Sequence, residues 1–410
     1  MLVLYNLFIR ISWWVIKVFS FFNHKAQLWI QGRKNWKSNL KKNLPKQRQV
    51  VWFHCASLGE FEQGRPIIEN LKKSFPEYFV LLTFYSPSGY EIRKDYSHAD
   101  YIMYLPLDTR SNAEYFVSTV KPLWAIFIKY EFWYHFLHTL NKHHIPTFLV
   151  AAVFRSNQIF FKWYGGFFRQ IPFFFTEIFV QNANSKDLLQ EIGYTKTTVI
   201  GDTRIDRVRE IANQAQTDQR ILEFIGNRKV LLAGSTWPPE EKILLQWIEK
   251  VNLNEWCLIL APHQVAPLHI QKIKNQFKQY RLITYSQLTE RSTSDILLID
   301  TIGILSGLYQ VGTLAFIGGG FGKSIHNILE PAAFGIPIIF GPNHHKFIEA
   351  LTLIAAEGAF EVKNELSFNR IFVTLSQKER YEKAQKAVQN YIQEGKGATA
   401  KLIHYLIKHR

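Results

Sequence analysis

The sequence predicts an α/β protein in which two doubly wound domains follow an N-terminal apolar helix. The chain has 410 residues, which is enough for two hydrophobic cores. From residue 50 onward, short apolar runs alternate with helical patterns in two successive series. The first 22 residues are almost all apolar, and a basic stretch follows them. We therefore divide the chain into an apolar helix at 1–22, a basic linker at 23–49 and domains at 50–205 and 206–410.

The segment at 1–22 predicts an amphipathic, membrane-associated helix. On a helical wheel Asn6, Arg10, Lys17 and Ser20 fall within about 80° of each other, and most of the remaining face is apolar. Such a helix can lie in the membrane interface. It can also span the bilayer, although two cations near its middle make spanning costly. Packing on the protein's own surface is the alternative. No small-residue cleavage site follows, so we expect no secretory signal.

Positive charge is concentrated before Glu60. The net charge is +16, and residues 1–59 contain ten Lys or Arg and no Asp or Glu. Cations beside an apolar helix predict that the protein body lies on the cytoplasmic side of a membrane. A nucleic-acid-binding arm is also basic, but it rarely follows a segment this apolar. The two cysteines, Cys55 and Cys257, are far apart, which predicts no disulfide framework.

The two domains are predicted from their strand and helix patterns. In the first, strands are expected at 50–54, 78–84, 101–105, 123–128, 147–151 and 177–181, and helices at 62–73, 111–119, 132–142, 157–170 and 185–192. In the second, strands are expected at 229–236, 256–263, 281–286, 295–300, 313–319 and 337–342. Ligands bind outside the carboxyl ends of such parallel strands, so candidate site residues are sought there.

The stretch at 318–342, GGGFGKSIHNILEPAAFGIPIIFGP, predicts a nucleotide-binding turn. Its glycines, which include Gly319 and Gly320, allow the backbone to approach a ligand closely. We expect a helix to begin near Asn327, with its free N–H groups toward an anionic group, and Glu330 to reach sugar hydroxyls from its first turn. Glycine loops between strand and helix are also common in α/β proteins without a nucleotide.

Two acids follow strands of the first domain. Glu60 stands at a helix start in the loop ASLGE, where helix N–H groups are expected to keep it ionised and able to act as a general base. Alternatively, it only completes the helix start. Glu131 follows strand 123–128 and either orients an acceptor hydroxyl or holds its loop through hydrogen bonds.

Polar residues also follow two strands of the second domain. Ser235 and Thr236 can donate to phosphate oxygens, and His263 can bond a phosphate or a base, although a lone histidine is more often structural. The sequence contains no Asp-x-Asp motif and no acid-and-histidine pair at metal-ligand spacing. We therefore expect no bound metal.

The stretch at 159–175, IFFKWYGGFFRQIPFFF, is rich in aromatic residues. A buried helix would explain its apolar content. Its two glycines and one proline favour instead a surface that docks on lipid.

Five segments, in their order along the chain, resemble the 3-deoxy-D-manno-octulosonic acid (Kdo) transferases of lipopolysaccharide assembly. They are ASLGE at 56–60, Glu131 to Trp133, GDTRIDRV at 201–208, GSTWPPEE at 234–241 and HNILEPAAFGIPIIFGP at 326–342. The resemblance implies a GT-B glycosyltransferase with an N-terminal acceptor-binding domain and a C-terminal nucleotide-sugar-binding domain. Its implied reaction moves Kdo from CMP-Kdo to a lipid A precursor, lipid IVA, with inversion and without metal or other cofactor.

The resemblance also implies roles for individual residues. Glu60 matches the catalytic base, and Glu131 and Arg155 are the acceptor-binding candidates. The donor-binding candidates are Ser235, Thr236, His263, Gly319, Gly320, His326, Asn327 and Glu330. The chain departs from many relatives at Lys129 and Tyr130, where an acid is usual, and at Ser324 and Ile325, where two glycines are usual.

The expected partners are CMP-Kdo, the lipid A precursor and the lipid surface of the inner membrane, on its cytoplasmic face, and not nucleic acid. One rival is another membrane-bound GT-B transferase that uses a UDP-sugar on a polyprenyl lipid. A remote rival is a basic nucleic-acid-binding protein.

Overall fold

The computed structural model describes residues 1–289 and 294–409, which form two compact units. The first unit contains Met1–Asp206 and Lys396–Arg410, and the second contains Arg207–Gly395. The sequence assigned all of 206–410 to the second domain. The C-terminal segment instead returns to the first unit.

The first unit contains three helices before its sheet and then alternates strands with helices. Its strands are β1 (Val50–Cys55), β2 (Phe79–Phe84), β3 (Tyr101–Tyr104), β4 (Trp124–Ile128), β5 (Thr147–Ala152), β6 (Glu177–Val180) and β7 (Thr197–Val199). Its helices are α1 (Leu2–Phe19), α2 (His24–Gln31), α3 (Trp36–Asn43), α4 (Leu58–Ser74), α5 (Pro87–Arg93), α6 (Arg110–Val120), α7 (Tyr134–Lys142), α8 (Gly166–Arg169) and α9 (Ala183–Glu191), and α10 (Thr203–Gln214) leads into the second unit.

The second unit repeats the alternation. Its strands are β8 (Lys229–Thr236), β9 (Trp256–Pro262), β10 (Leu282–Thr284), β11 (Ile296–Leu298), β12 (Leu314–Ile317), β13 (Ile338–Phe340) and β14 (Ala359–Glu361). Its helices are α11 (Gln219–Ile225), α12 (Pro238–Ile248), α13 (Pro267–Gln276), α14 (Leu305–Leu308), α15 (Leu329–Ala333), α16 (Ile348–Ala355), α17 (Glu365–Ser376) and α18 (Lys378–Glu394).

Each unit is a parallel sheet of seven strands, in the orders β3-β2-β1-β4-β5-β6-β7 and β10-β11-β9-β8-β12-β13-β14. The central strands are buried from end to end, because helices cover both faces of the sheets. The predicted fold class, two doubly wound α/β domains, is confirmed. The sequence reading omitted the short strands β7 and β14, which lie at sheet edges and are only partly buried.

The aromatic stretch does not form the helix predicted at 157–170. It folds as two short 3₁₀ segments, Ile159–Phe161 and Ile171–Phe174, on either side of α8. Gly165 allows the chain to leave the helical path here. The backbone passes so close to Ile159 that a Cβ atom at position 165 would lie 1.7 Å from the Ile159 carbonyl oxygen. Part of the stretch is core and part is surface: Phe160 is buried, whereas the side chain of Trp163 is 90% exposed.

The motif GDTRIDRV joins three parts of the first unit. The Thr203 hydroxyl donates to the Gln63 carbonyl oxygen at 2.6 Å. Asp206 accepts from the N–H groups of Gly397 at 2.6 Å and Thr399 at 2.7 Å, at the start of the last helix, α19 (Ala398–Lys408). Asp206 therefore caps the helix that returns to the first unit.

Replacing Asp206 by Ala should lower the free energy of unfolding by roughly 1–2 kcal/mol, since two N–H groups at a helix start lose their acceptor. Thermal unfolding of the purified protein measures this. The matched control is Glu379→Ala, which removes an exposed first-turn acid from α18. Equal losses in the two variants would contradict the capping role.

Candidate functional site

Two carboxylates meet at the carboxyl edge of the first sheet. β1 and β4 are neighbours, with His54 opposite Phe127, so the loops that follow them lie side by side. Glu60 comes from the first turn of α4, after β1, and Glu131 from the loop after β4. The negative charge of Glu131 acts on Glu60 and raises its pKa.

Glu60 completes the start of α4, which is one of the two roles expected for it from the sequence. Its Oε2 atom accepts from the N–H of Ala56 at 2.5 Å and from that of Ser57 at 3.3 Å. These contacts form the carboxylate half of a capping box. The side chain is half-buried, so its position is fixed while part of it still faces solvent.

The expectation that helix N–H groups keep Glu60 ionised is wrong. Burial, followed by the charge of Glu131, raises the pKa of Glu60 to about 8. The N–H groups of Ala56 and Ser57 and the charge of Lys129 lower the pKa of Glu60, but by less. Desolvation of a carboxylate beside a second acid therefore outweighs the helix start. The raised pKa makes the ionised form of Glu60 a stronger base than an ordinary glutamate.

Glu131 is held in place by hydrogen bonds from buried neighbours. Its Oε2 atom lies 2.8 Å from Nε2 of His54 and 2.5 Å from the indole nitrogen of Trp133. On its other side, Nδ1 of His54 lies 2.8 Å from the hydroxyl of Thr83. These contacts match one of the two roles expected for Glu131, that of holding its loop through hydrogen bonds. The other role, in which Glu131 orients an acceptor hydroxyl, stays a prediction.

Sequence reasoning missed His54, although the sequence carried a signal. His54 is a polar residue inside an otherwise apolar strand, and its side chain is completely buried. A buried polar group requires a partner, so a polar residue two positions before the ASLGE loop indicates a hydrogen-bonded neighbour at the same edge of the sheet.

An aromatic cluster around Arg33 supports the other side of this edge. Tyr85 packs on Trp133 with ring centroids 4.6 Å apart. The Arg33 guanidinium donates to the carbonyl oxygens of Tyr85 and Leu105 and lies 3.8 Å from the ring centroid of Trp29. Burial lowers the pKa of Arg33 to about 9. Arg33, in the predicted basic linker, is therefore a structural cation. Its position among many other cations gave no sign of this role in the sequence.

Arg155 lies beyond β5 at the same edge of the sheet and is exposed. Its acceptor-binding role stays a prediction. Two nearby residues have left-handed backbone, Lys129 at φ 71° and Ala151 at φ 57°. This conformation costs roughly 1–2 kcal/mol per non-glycine residue, and such strain is concentrated at functional sites.

In the second unit, the turns after β8 and β12 pack closely together. The two strands are neighbours, with Gly234 opposite Ile317. A Cβ atom on Gly318 would lie 2.1 Å from the carbonyl oxygen of Ser235, whose own φ is 55°. Glycine is therefore required here by backbone contact.

Glycine is also required at positions 319 and 320, for a different reason at each. Gly319 has a φ of 86°, and a Cβ atom there would also lie 2.4 Å from the Ser324 carbonyl oxygen. A Cβ atom on Gly320 would lie 2.5 Å from the backbone nitrogen of Gly341. These glycines hold the loop against the turn after β13, and their contact with a donor stays a prediction.

Three rings stack beside the glycine loop. The ring of His263 stacks on Trp237, at 4.7 Å between centroids, and on His326, at 4.4 Å, with interplanar angles of 26° and 23°. The Trp237 indole N–H donates to Nε2 of His326 at 3.0 Å. Because an indole nitrogen can only donate, the proton of a neutral His326 must be on Nδ1.

Both histidines of this stack are neutral at physiological pH. Burial, and next the charge of His263, lowers the pKa of His326 to about 4. Burial also lowers the pKa of His263. They can therefore donate or accept hydrogen bonds and stack on a base, but they add no positive charge.

Thr236 and Ser235 differ in exposure. Ser235 is half-buried, whereas only 1% of Thr236 is exposed. The hydroxyl of Thr236 lies 3.5 Å from Oε1 of Glu241, which also pairs with His269 at 2.9 Å. Ser235 is thus the more accessible of the two predicted phosphate donors.

Glu240 is a structural acid that sequence reasoning left without a role. It is fully buried, and its carboxylate accepts from the N–H of Trp237 at 3.1 Å and of Phe321 at 3.4 Å. One side chain thereby connects the turn after β8 with the glycine loop.

The helix expected near Asn327 is short and begins at Leu329. The Asn327 side chain caps it, because Oδ1 accepts from the Leu329 N–H at 3.1 Å. Nδ2 of Asn327 donates to Oε1 of Glu330 at 2.9 Å. The two residues therefore orient each other, and their donor-binding role stays a prediction.

Among residues 1–289 and 294–409, no group of three or more His, Cys, Asp and Glu side chains is placed to hold a metal ion. The same ranges contain one helix, α1, that is long and apolar enough to cross a membrane. Signal sequences and the core helices of soluble proteins share that length and composition.

Comparison with known proteins identifies relatives along most of the chain. A family model described as 3-deoxy-D-manno-octulosonic-acid transferase (kdotransferase) matches residues 33–207. The 3-deoxy-D-manno-octulosonic acid transferase of Aquifex aeolicus is 30% identical over 79% of this chain and 85% of its own length. That of Haemophilus influenzae is 25% identical over 87% of this chain and 86% of its own length.

Solved structures with the same fold are more distant in sequence. UDP-GlcNAc 2-epimerase from Neisseria meningitidis, bound to UDP-GlcNAc, has a TM-score of 0.61 at 16% identity and covers 88% of this chain and 100% of its own. A glycosyltransferase from Rickettsia africae has a TM-score of 0.56 at 11% identity and covers 88% of this chain and 98% of its own. They support the GT-B-like fold.

Replacing Glu131 by Gln should lower the pKa of Glu60 from about 8, because a negative charge that disfavours ionisation is removed. Carbon-13 NMR titration of the Glu60 carboxyl measures this shift. Glu62→Gln is the control, since Glu62 is on the same helix but pairs with Arg93 at 2.8 Å. An unchanged Glu60 titration in Glu131→Gln would refute the coupling.

Gly320→Ala should destabilise the second unit by roughly 1–3 kcal/mol, because the new methyl group would meet backbone that cannot move independently. Gly322→Ala in the same loop is the control, since the nearest atom to its Cβ is 3.5 Å away. Denaturant unfolding compares the two. The structural explanation fails if both variants are equally stable.

Proposed function

Because this chain belongs to the family of 3-deoxy-D-manno-octulosonic acid (Kdo) transferases, we propose that it transfers Kdo from CMP-Kdo to a lipid A precursor, lipid IVA, with inversion. The protein is a Kdo glycosyltransferase of lipopolysaccharide biosynthesis, and the relatives that it matches are named 3-deoxy-D-manno-octulosonic acid transferases. The donor, the acceptor and the residue roles that follow are our proposal.

The observation that carries the proposal is the position of Glu60. It is fixed by two N–H groups, half-buried and placed beside a second carboxylate that raises its pKa. A carboxylate with these properties is a strong base when ionised. Glu60 takes the proton of the acceptor hydroxyl while that oxygen bonds to the anomeric carbon of Kdo. The bond from this carbon to the phosphate oxygen breaks, and CMP leaves with the electron pair.

The second unit supplies fixed dipoles for the departing CMP. The proposed donor to its phosphate is the Ser235 hydroxyl, since the Gly318 N–H already donates to the Gly234 carbonyl oxygen at 2.9 Å and the Gly319 N–H to Glu240. The close packing of the glycine loop keeps the Ser235 turn in position. The ring stack of Trp237, His263 and His326 offers a flat surface for the base. A leaving group with one phosphate needs less charge than a diphosphate, which is consistent with neutral histidines at this place.

Membrane association, on the cytoplasmic face of the inner membrane, is supported by the surface of the first unit. One side of α1 packs on the unit through Tyr5 and Ile9. The opposite side exposes Phe8, Ile11 and Val15 by half or more of their surface. Helix α1 therefore packs one side on the protein and leaves an apolar side for lipid.

The aromatic stretch joins this surface. Phe167 of α8 lies 6.0 Å from Tyr5 of α1 between ring centroids, and Trp163, four residues earlier, is almost fully exposed. Exposed aromatic rings beside an apolar helix favour the interface of a bilayer.

Glu60→Gln should lower the rate of transfer by about 10²–10⁴-fold, because the amide cannot accept the proton. The Gln side-chain oxygen can still accept from Ala56 and Ser57, so folding should be preserved. The assay incubates the purified protein with CMP-Kdo and tetra-acylated lipid A precursor and measures the lipid product by mass. Glu62→Gln should keep wild-type activity.

Transfer by Glu60→Gln at a rate near that of the wild type would remove Glu60 from the base role. Competition separates the donor classes in the same assay. CMP should inhibit far more strongly than UDP, and the reverse result would indicate a UDP-sugar transferase.

A further inference from the structure

A cavity of about 640 Å³ lies between α1 and the helices α6 and α7 of the first unit. Its walls come from α1, from the turn that begins α6 and from the end of α7. The lining residues used below are Asn6, Arg10, Asp108, Arg110, Glu114 and Lys142. A volume in this range holds a small organic group rather than a single water or ion.

Three cations on three different elements surround this cavity. Arg10 belongs to α1, Arg110 is the first residue of α6 and Lys142 is the last residue of α7. All three are exposed. Lys142 approaches Glu114 at 3.6 Å, whereas for Arg10 and Arg110 no ion pair occurs among the described residues. Two of the three cations thus have no ion-pair partner among the described residues, which favours an anionic ligand.

The two acids of the cavity are engaged elsewhere. Asp108 accepts from the Tyr5 hydroxyl at 2.5 Å and from the N–H groups of His135 and Phe136 at 3.0 and 2.9 Å. Glu114 lies 2.9 Å from Nε2 of His143. Their hydrogen bonds point to neighbouring protein groups, and this leaves Arg10 and Arg110 to face the cavity.

The cavity adjoins the helix whose other side is apolar. Arg10 is one residue from Ile9, which is buried, and one residue from Ile11, half of whose surface is exposed. A lipid whose chains lie against the exposed side of α1 would therefore have its head group at the level of Arg10. Guanidinium groups bind phosphate oxygens in pairs, which makes phosphate the anion that suits two arginines.

We propose that this cavity binds the phosphate of a lipid head group at the membrane surface, through Arg10, Arg110 and Lys142. The phosphate can belong to a bilayer phospholipid or to the phosphorylated acceptor, and only the second source rests on the proposed function. In either case the site positions the first unit against the lipid, away from the atoms that react.

The experiment compares wild-type protein with Arg10→Ala/Arg110→Ala in three arms. The first measures binding to phosphatidylcholine vesicles with and without phosphatidic acid, in the absence of any donor. The second measures binding of inorganic phosphate. The third measures KM and kcat for tetra-acylated lipid A precursor in detergent. The control Lys196→Ala/Lys401→Ala removes two exposed cations of the same unit that do not line the cavity.

We expect the double variant to bind phosphatidic acid vesicles roughly tenfold or more weakly and neutral vesicles normally, while the control binds both as wild type does. Glu114→Gln should bind more tightly, since a competing carboxylate is removed, and it tests the site without deleting an arginine. Weaker vesicle binding at an unchanged KM assigns the phosphate to the bilayer. A raised KM at constant kcat assigns it to the acceptor.

The proposal is overturned if the double variant keeps wild-type vesicle binding and KM, or if the control loses as much binding as the double variant. Phosphate binding that the double variant retains also overturns it, because the anion then binds elsewhere. Thermal unfolding checks that each variant is folded. The vesicle arm needs no transfer reaction, so its failure is distinct from failure of Kdo transfer.

Discussion

Parallel strand pairing is the constraint on which the rest of this structure depends. Because every strand in a sheet runs the same way, all the turns that leave the carboxyl ends share one edge. The pairing of β1 with β4 brings Glu60 to Glu131, although 70 residues separate them in sequence. The pairing of β8 with β12 presses Ser235 against Gly318 in the same way. The order of the strands therefore determines which turns lie side by side, and the side chains of those turns then make up each candidate site.

Burial then decides the protonation of the groups at these edges. It raises the pKa of Glu60 and lowers that of His326, since desolvation disfavours the charged form of an acid and of a base alike. The first unit thereby holds a carboxyl group of raised pKa, and the second holds neutral imidazole rings. In the proposed reaction, the first would remove a proton and the second would lie against the nucleotide.

Polar contacts attach helix α1 to the body of the first unit. Asp108 joins the Tyr5 hydroxyl of α1 to the backbone at the start of α7, and Asn6 contacts His135 at 2.6 Å. Helix α7 follows directly after the loop of Glu131 and Trp133. A short series of polar contacts therefore connects α1 to the edge of the sheet that carries Glu131. If the proposed function holds, bilayer binding and acceptor placement depend on the same contacts.

The sequence by itself determined the two α/β domains, the positions of twelve of the strands, the apolar helix and the turns where site residues stand, because period, glycine and charge are local patterns. Tertiary structure decided the rest. Only folding showed that Glu60 is not kept ionised, that His54 and Trp133 hold Glu131, that Asp206 returns the last helix to the first unit and that Arg33 is a structural cation. These facts depend on desolvation and on contacts between residues far apart in the chain, and no local pattern encodes either.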